Sequence, residues 1–310
     1  MKKVLFLDSV HPSLAERLTH DGYHCVDLCA ATMDEIEKQL PTAHGLVLRS
    51  RYTMNDSFLS SAEKLHFIAR SGIGMENVDL DYCQQRGLHV FNAPGANADA
   101  VGEHVVGMLL CLFNKLHTAH TEVRSGLWRR EANRGIELGP RTVGIIGFGH
   151  TGQSVAKRLS GFGCAVLAYD KYQKVNMAGV EESTLKNIQE RCDIISFHVP
   201  LTEETHHYFN DSFLEAMAKP FYLVNCSRGK VASTTSMLAG LNSKKIKGIC
   251  LDVLEQEGAD FDLSAMSDVN LHGLISNPAV LFSPHVAGWT MESYENLADS
   301  LYRQISLLEH

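Results

Sequence analysis

Three apolar runs in the second half of the chain each lead to an ionisable residue. Leu223-Val224-Asn225-Cys226-Ser227-Arg228-Gly229 delivers a guanidinium at Arg228, Leu251-Asp252-Val253-Leu254-Glu255-Gln256-Glu257 a carboxylate at Glu257, and Phe282-Ser283-Pro284-His285-Val286-Ala287-Gly288 an imidazole at His285. If the runs are parallel strands, all three groups face the crevice past the carboxyl ends of a sheet, where open α/β sheets bind ligands. Together they suit the reversible oxidation of an alcohol next to a carboxylate. The arginine would pair with the carboxylate and polarise the carbonyl. The histidine would exchange the hydroxyl proton, and the glutamate would orient the imidazole and favour its protonated form.

A second set of residues concerns a dinucleotide. Gly147-Phe148-Gly149-His150-Thr151-Gly152 places G-x-G-x-x-G directly after the apolar run Val143–Ile146 and before a helical pattern. Gly147 would permit the tight turn, Gly149 the approach of backbone N–H groups to a pyrophosphate, and Gly152 close packing of helix on strand. The next run, Ala165–Tyr169, ends in Asp170, eighteen residues beyond Gly152. A carboxylate there would accept hydrogen bonds from the adenosine ribose and repel a 2′-phosphate, which favours NAD over NADP. The adjacent Lys171 softens that preference.

The elements that must hold these groups are legible as alternating patterns. From residue 1 to about 95, the runs Val4–Leu7, His24–Leu28, Gly45–Leu48, Phe67–Ala69 and His89–Phe91 alternate with helical spacing. A second series, Val143–Ile146, Ala165–Tyr169, Ile194–Phe197, Tyr222–Val224, Lys247–Leu251 and Val280–Phe282, supplies six strands, enough for a doubly wound parallel sheet. Between the two series, residues 98–126 are predicted as one connecting helix, and residues 291–310 as a last amphipathic one.

Composition narrows the function. The 310 residues fit about two domains of roughly 150 each. With 36 acidic against 28 basic residues and a net charge of −8, a general nucleic-acid binder is not expected, and any anion site must be a local cluster of Arg or Lys. No run approaches the ~18 apolar residues of a membrane helix, and Asp8 cuts the first run short of a signal-peptide core. The eight cysteines form no C-x-x-C pair and read as thiols of a cytoplasmic protein. His117 with His120, and His206 with His207, lack acidic or cysteine partners at ligand spacing, so no metal is expected.

Further segments carry a likeness: Leu48-Arg49-Ser50-Arg51, Ala69 to Asp79, Phe91-Asn92-Ala93-Pro94-Gly95 and His198-Val199-Pro200-Leu201-Thr202. With the glycine fingerprint and the segments around Arg228, Glu257 and His285, they make the chain resemble the D-isomer-specific 2-hydroxyacid dehydrogenase family almost end to end. Within that family it looks most like the members that oxidise 3-phospho-D-glycerate. The resemblance implies two Rossmann/flavodoxin-like doubly wound domains. A cofactor domain at 96–286 would be inserted into a substrate domain made of 1–95 and 287–310, and a homodimer would form through the cofactor domain. It implies that Arg228, Glu257 and His285 are catalytic. NAD contacts would come from Gly147, Phe148, Gly149, His150, Thr151, Gly152, Asp170, His198, Val199, Pro200, Thr205, Cys226, Ser227, Asp252 and Gly288. Substrate contacts would come from Arg49, Ser50, Arg51, Arg70, Ser71 and Gly72, alongside Arg228 and His285. Ser71 and Gly72 match the turn whose N–H groups hold the substrate carboxylate, and Arg49, Arg51 and Arg70 would supply charge for a second anionic group. Arg130 matches a region that can reach the partner subunit's cleft in relatives.

The activity so implied is NAD-dependent oxidation of a D-2-hydroxy acid to the 2-keto acid, with 3-phospho-D-glycerate giving 3-phosphohydroxypyruvate at the entry to serine synthesis. A glyoxylate or hydroxypyruvate reductase, or an NAD-sensing corepressor of the same fold, stands as an alternative. The chain departs from the family pattern in three places. Gly258 follows Glu257 where proline is usual, and Trp289 stands where small residues are common. Nothing follows residue 310 for the regulatory domain that many phosphoglycerate-oxidising members carry, so serine feedback through such a domain is not expected.

Overall fold

The structure is a computed structural model that describes residues 2–257 and 268–308. Gly258 lies outside the described residues. The chain divides into two units, Met1–Asn97 with Trp289–His310, and Ala98–Gly288.

In the smaller unit the apolar runs form strands β1 (Lys3–Phe6), β2 (His24–Asp27), β3 (Ala43–Leu48), β4 (Phe67–Arg70) and β5 (His89–Phe91). All are parallel, in the order β2-β1-β3-β4-β5. The central strands are apolar along their length because both faces are covered. Leu5, Leu46, Leu48 and Ile68 pack on one side against Ile36 and Leu40. On the other side, Val4, Phe6, Val47 and Phe67 meet Leu14 and Leu18 and, from the far end of the chain, Ala298, Leu301 and Ile305. The helix carrying these last residues, Met291–Ile305, opens with a capping box between Thr290 and Ser293. An Arg17–Asp299 ion pair and a Tyr302 hydroxyl donating to Asp21 at 2.8 Å tie it to the N-terminal segment.

The larger unit has strands β6 (Thr142–Ile146), β7 (Ala165–Tyr169), β8 (Val180–Glu182), β9 (Ile194–Phe197), β10 (Phe221–Asn225), β11 (Ile246–Leu251) and β12 (Val280–Phe282). Their order is β12-β11-β10-β9-β6-β7-β8, again all parallel. Strand order reverses between β6 and β9, and the crevice that such a reversal opens is where these sheets take ligands. Helices Ala98–Phe113 and His150–Leu159 cover one face, against Val143, Ile145 and Val166. Ile146, Ile195, Phe197, Leu223 and Ile249 build the core on the other. Two doubly wound parallel sheets, one unit inserted into the other, are the fold class that the sequence led us to expect.

Three details differ. Residues 98–126 are two helices, Ala98–Phe113 and Leu116–Arg124, broken at Lys115, whose φ is 51°. The break has a cause in the returning chain: Ile136 N–H donates to the Phe113 carbonyl at 3.1 Å, and Lys115 Nζ reaches the Ala132 carbonyl at 2.7 Å. A continuing helix would claim the Phe113 carbonyl for itself. The sheet also gains β8, unseen in the sequence because three residues with two exposed acids show no apolar run. The last helix ends at Ile305, short of residue 310.

Candidate active site

The glycine fingerprint forms the loop between β6 and the helix His150–Leu159. Gly147 has φ of +89°, and a Cβ on it would lie 2.4 Å from the His198 carbonyl oxygen; one on Gly152 would lie 2.1 Å from the Gly147 carbonyl oxygen. A Cβ on Gly149 would meet only Gln173 Nε2, at an ordinary contact distance of 3.8 Å, so this position is not crowded. Gly149 caps the helix without a side chain. The first-turn N–H groups, including those of His150 and Thr151, therefore sit at an uncapped, dipole-positive end that suits a pyrophosphate. Asp170, at the end of β7, accepts N–H bonds from Phe148 at 2.7 Å, Tyr172 at 2.9 Å and Gln173 at 3.1 Å. Partial burial pushes its pKa up, but these bonds outweigh burial and hold it below the ordinary carboxylate value. Lys171 pairs with Glu204, which also accepts the Tyr172 hydroxyl, so its charge is already matched. The loop, the open helix end and the ionised Asp170 fit a dinucleotide's pyrophosphate and ribose.

Past β9, His198 is half-buried, with Nε2 2.8 Å from Ser196 Oγ, and its buried Nδ1 has no partner among the described residues. Burial pushes its pKa down to about 4, so the ring is neutral near pH 7. Its carbonyl and the Val199 side chain pack against Gly147. The Thr205 hydroxyl donates to the Pro200 carbonyl at 2.6 Å and accepts the Thr202 N–H at 2.7 Å. It thus ties the loop internally rather than standing open. Cys226 is buried with its thiol 3.9 Å from Met108 Sδ, and burial raises its pKa.

The three ionisable residues follow β10, β11 and β12. Buried Asn225 fixes the first turn: its amide donates to the Arg228 carbonyl at 2.9 Å, and its Oδ1 accepts the Ser227 N–H at 3.1 Å and hydroxyl at 2.8 Å. A Cβ on Gly229 would sit 1.8 Å from the Leu254 carbonyl oxygen, so the Arg228 turn lies directly against the loop that leads to Glu257. Glu257 Oε2 is 3.3 Å from His285 Nδ1 and also accepts the Leu254 N–H at 3.4 Å. The carboxylate thus stands on the Nδ1 side of the imidazole ring. His285 itself has φ of 54°, a left-handed backbone that a non-glycine residue holds only under constraint.

The constraint comes from Asp252, which is 2% exposed. Its Oδ1 accepts the Ser283 hydroxyl at 2.6 Å and the Val286 N–H at 2.9 Å, its Oδ2 the Ala287 N–H at 2.8 Å, and its carbonyl the His285 N–H at 2.8 Å. Asp252, read from the sequence as a cofactor contact, here has both carboxylate oxygens taken by the His285 turn. His104 Nε2 lies 2.7 Å from Ser283 Oγ and extends the network to the helix Ala98–Phe113. Glu257 and His285 line a cavity of about 290 Å³ with Leu254, Ile275, Phe282 and Pro284. Gly288 ends the unit three residues past His285.

Asn225, Ser283 and His104 were not singled out from the sequence as site residues. His104 shares its helix with Asp99 and Glu103, so the sequence did not set it apart.

In the smaller unit, Asp8 Oδ2 accepts the N–H of Arg49 at 2.6 Å and of Arg51 at 3.4 Å, folding the turn that contains Ser50. Arg51 is exposed and donates from Nη1 to the Cys29 carbonyl at 2.5 Å. The expectation for Ser71 and Gly72 requires correction. Ser71 N–H goes to the Leu48 carbonyl at 2.7 Å and Gly72 N–H to the Arg70 carbonyl at 2.9 Å, so neither is open to a carboxylate. The Arg70 guanidinium folds over Gly72, with Nη1 1.6 Å from where a Cβ would stand. The N–H groups of this turn that take no protein acceptor among the described residues belong to Ile73 and Gly74. Arg130 is exposed in the larger unit.

Two parallel α/β units with a glycine-rich loop, an acid after the second strand, and a Glu–His pair at the far strand ends define a nucleotide-dependent dehydrogenase architecture. Residues 106–287 match the family profile of the D-isomer specific 2-hydroxyacid dehydrogenase, NAD binding domain, and the chain belongs to this family. Its larger unit is an NAD-binding domain. The chain is 30% identical over 304 residues to the D-3-phosphoglycerate dehydrogenase of Rattus norvegicus, covering 97% of this chain and 55% of that protein. It therefore spans about half the length of the phosphoglycerate dehydrogenases it matches. The hydroxypyruvate reductase of Thermotoga maritima is 32% identical over 272 residues, 88% of this chain and 87% of its own. Among solved structures, D-lactate dehydrogenase from Aquifex aeolicus, complexed with NAD and lactic acid, superposes with a TM-score of 0.84 at 25% identity, covering 98% of this chain and 94% of that one.

Proposed function

We propose that the chain catalyses NAD-dependent oxidation of a D-2-hydroxy acid, with 3-phospho-D-glycerate as substrate and 3-phosphohydroxypyruvate as product. The observation that carries the reading is the Glu257–His285 pair, 3.3 Å apart on the wall of a largely apolar cavity. His285 Nε2 takes the 2-hydroxyl proton as the C2–H bond breaks, and Glu257 stabilises the imidazolium that forms. Arg228 pairs with the substrate carboxylate and polarises the new carbonyl. NAD, when bound, supplies the nicotinamide that accepts the hydride. The fingerprint glycines hold its pyrophosphate and Asp170 its adenosine ribose. In the smaller unit, taken by itself, the N–H groups of Ile73 and Gly74 and the Arg49 guanidinium are the groups we assign to anion binding. We also propose a homodimer through the larger unit, where Leu116, Val123 and Trp128 are exposed apolar residues.

A second reading, a hydroxypyruvate reductase, is favoured by one observation: Arg51, one of the arginines assigned to a phosphate, already donates to a main-chain carbonyl. NADH absorbance with purified protein decides between them. Turnover of 3-phosphoglycerate, or of phosphohydroxypyruvate in reverse, supports the first reading. Turnover of hydroxypyruvate alone supports the second, and silence on every 2-keto acid with both NADH and NADPH overturns both.

A further inference from the structure

Trp289 belongs to the smaller unit, where its indole lies under Arg49: the guanidinium carbon is 4.0 Å from the ring centroid. The indole is itself fixed. Tyr294 packs edge-on to it at 5.0 Å, and Tyr294 is held by a 3.3 Å hydroxyl contact to Ser9 and an edge contact to His11 at 5.3 Å. Trp289 is 43% exposed, so the stacked pair sits at the surface of its unit. A guanidinium stacked by its face keeps its N–H donors around the edge, in the fork that matches a carboxylate or phosphate.

Arg49, Arg51 and Arg70, three of the six arginines of this unit, differ in what they can offer. Arg51 donates to Cys29 and Arg70 folds over Gly72. The Arg49 guanidinium is half-buried, and its edge donors meet no hydrogen-bond acceptor among the described residues. Burial pushes its pKa down, with Asp8 and Tyr294 opposing. A cation held in place and partly out of water is set for an incoming anion.

We propose that Trp289 is a specificity-determining residue: its indole holds the Arg49 guanidinium so that the fork reads a second anionic group, a phosphate ester or a second carboxylate, at the far end of the 2-hydroxy acid. The proposal rests on the dehydrogenase reading but is tested separately from it.

The chain has two tryptophans, so in a Trp128→Phe background the fluorescence reports Trp289 alone. Addition of 3-phosphoglycerate or D-malate should change that emission, D-glycerate should not, and Arg49→Gln should abolish the response. A phosphate source is distinguished from a carboxylate source by which of the first two ligands responds. In kinetics, Trp289→Ser should lower the ratio of kcat/KM for phosphohydroxypyruvate, or for oxaloacetate, over that for hydroxypyruvate by about tenfold, and Trp289→Phe by less. A ratio unchanged in both variants overturns the proposal, as does an emission blind to all three ligands. An anion-dependent emission without turnover of any keto acid leaves Trp289 in its role and overturns the dehydrogenase reading instead.

Discussion

Glu257 meets His285 at Nδ1, and the worth of that contact is measurable. Glu257→Gln keeps the shape but loses the charge that supports the imidazolium, so kcat should fall about 100-fold with little change in KM for NAD. His285→Gln removes the exchangeable proton site and should cost roughly 100- to 10,000-fold. Steady-state NADH formation checks both. At the cofactor end, Asp170 is held ionised by three main-chain N–H groups while Lys171 is paired with Glu204. Asp170→Ala should therefore raise KM for NAD by about tenfold or more and narrow the preference over NADP. Loss of NAD affinity without any gain for NADP would show that Asp170 fixes the loop rather than reads the ribose.

Loops at the strand ends bring these residues together, and close backbone approaches set the loops. Gly229→Ala would drive a methyl into the Leu254 carbonyl, separating the Arg228 turn from the loop that leads to Glu257. It should cost about 1–3 kcal/mol of stability in urea titration and lower kcat as well. The half-buried His198 ring makes the β9 loop sensitive to acid. Its pKa is about 4 in the folded chain, against about 6.5 when unfolded. Below pH 6.5 the unfolded chain takes up a proton that the folded chain refuses, so stability is full above pH 6.5 and declines towards pH 4. The loss is roughly 3 kcal/mol. Urea midpoints at pH 7 and pH 4.5 should converge in His198→Asn.

The same approaches explain what the sequence revealed and what it hid. The fingerprint glycines and Asp170 were readable because a turn, an open helix end and an acid need specific residue types at fixed spacing. The break at Lys115 was hidden because the competitor for the Phe113 carbonyl is Ile136, twenty-three residues away and unmarked by composition. Which N–H groups are open in the turn after β4 depends on hydrogen bonds to Leu48 and Arg70, and so escaped a motif that marks only Ser71 and Gly72.

At the level of the whole molecule, each unit has its own core, and NAD binds the larger one. Saturation to about 100 times Kd should stabilise that unit by about 2.7 kcal/mol. Calorimetry should show one transition moving up by roughly 5–10 °C while the other stays. A single transition that moves as a whole would mean that the units unfold together.

The smaller unit's divided sequence has a consequence for its synthesis. One face of its sheet closes entirely within the first 97 residues, but the other needs Ala298, Leu301 and Ile305. Those residues leave the ribosome only after the 191-residue insert from Ala98 to Gly288. At typical elongation rates the wait is about 10–40 s. During that interval the sheet face of Val4, Phe6, Val47 and Phe67 has Leu14 and Leu18 against it but lacks Ala298, Leu301 and Ile305, while the insert has time to fold. The nascent chain thus carries a half-covered apolar face at a fixed place, closed when the last helix docks.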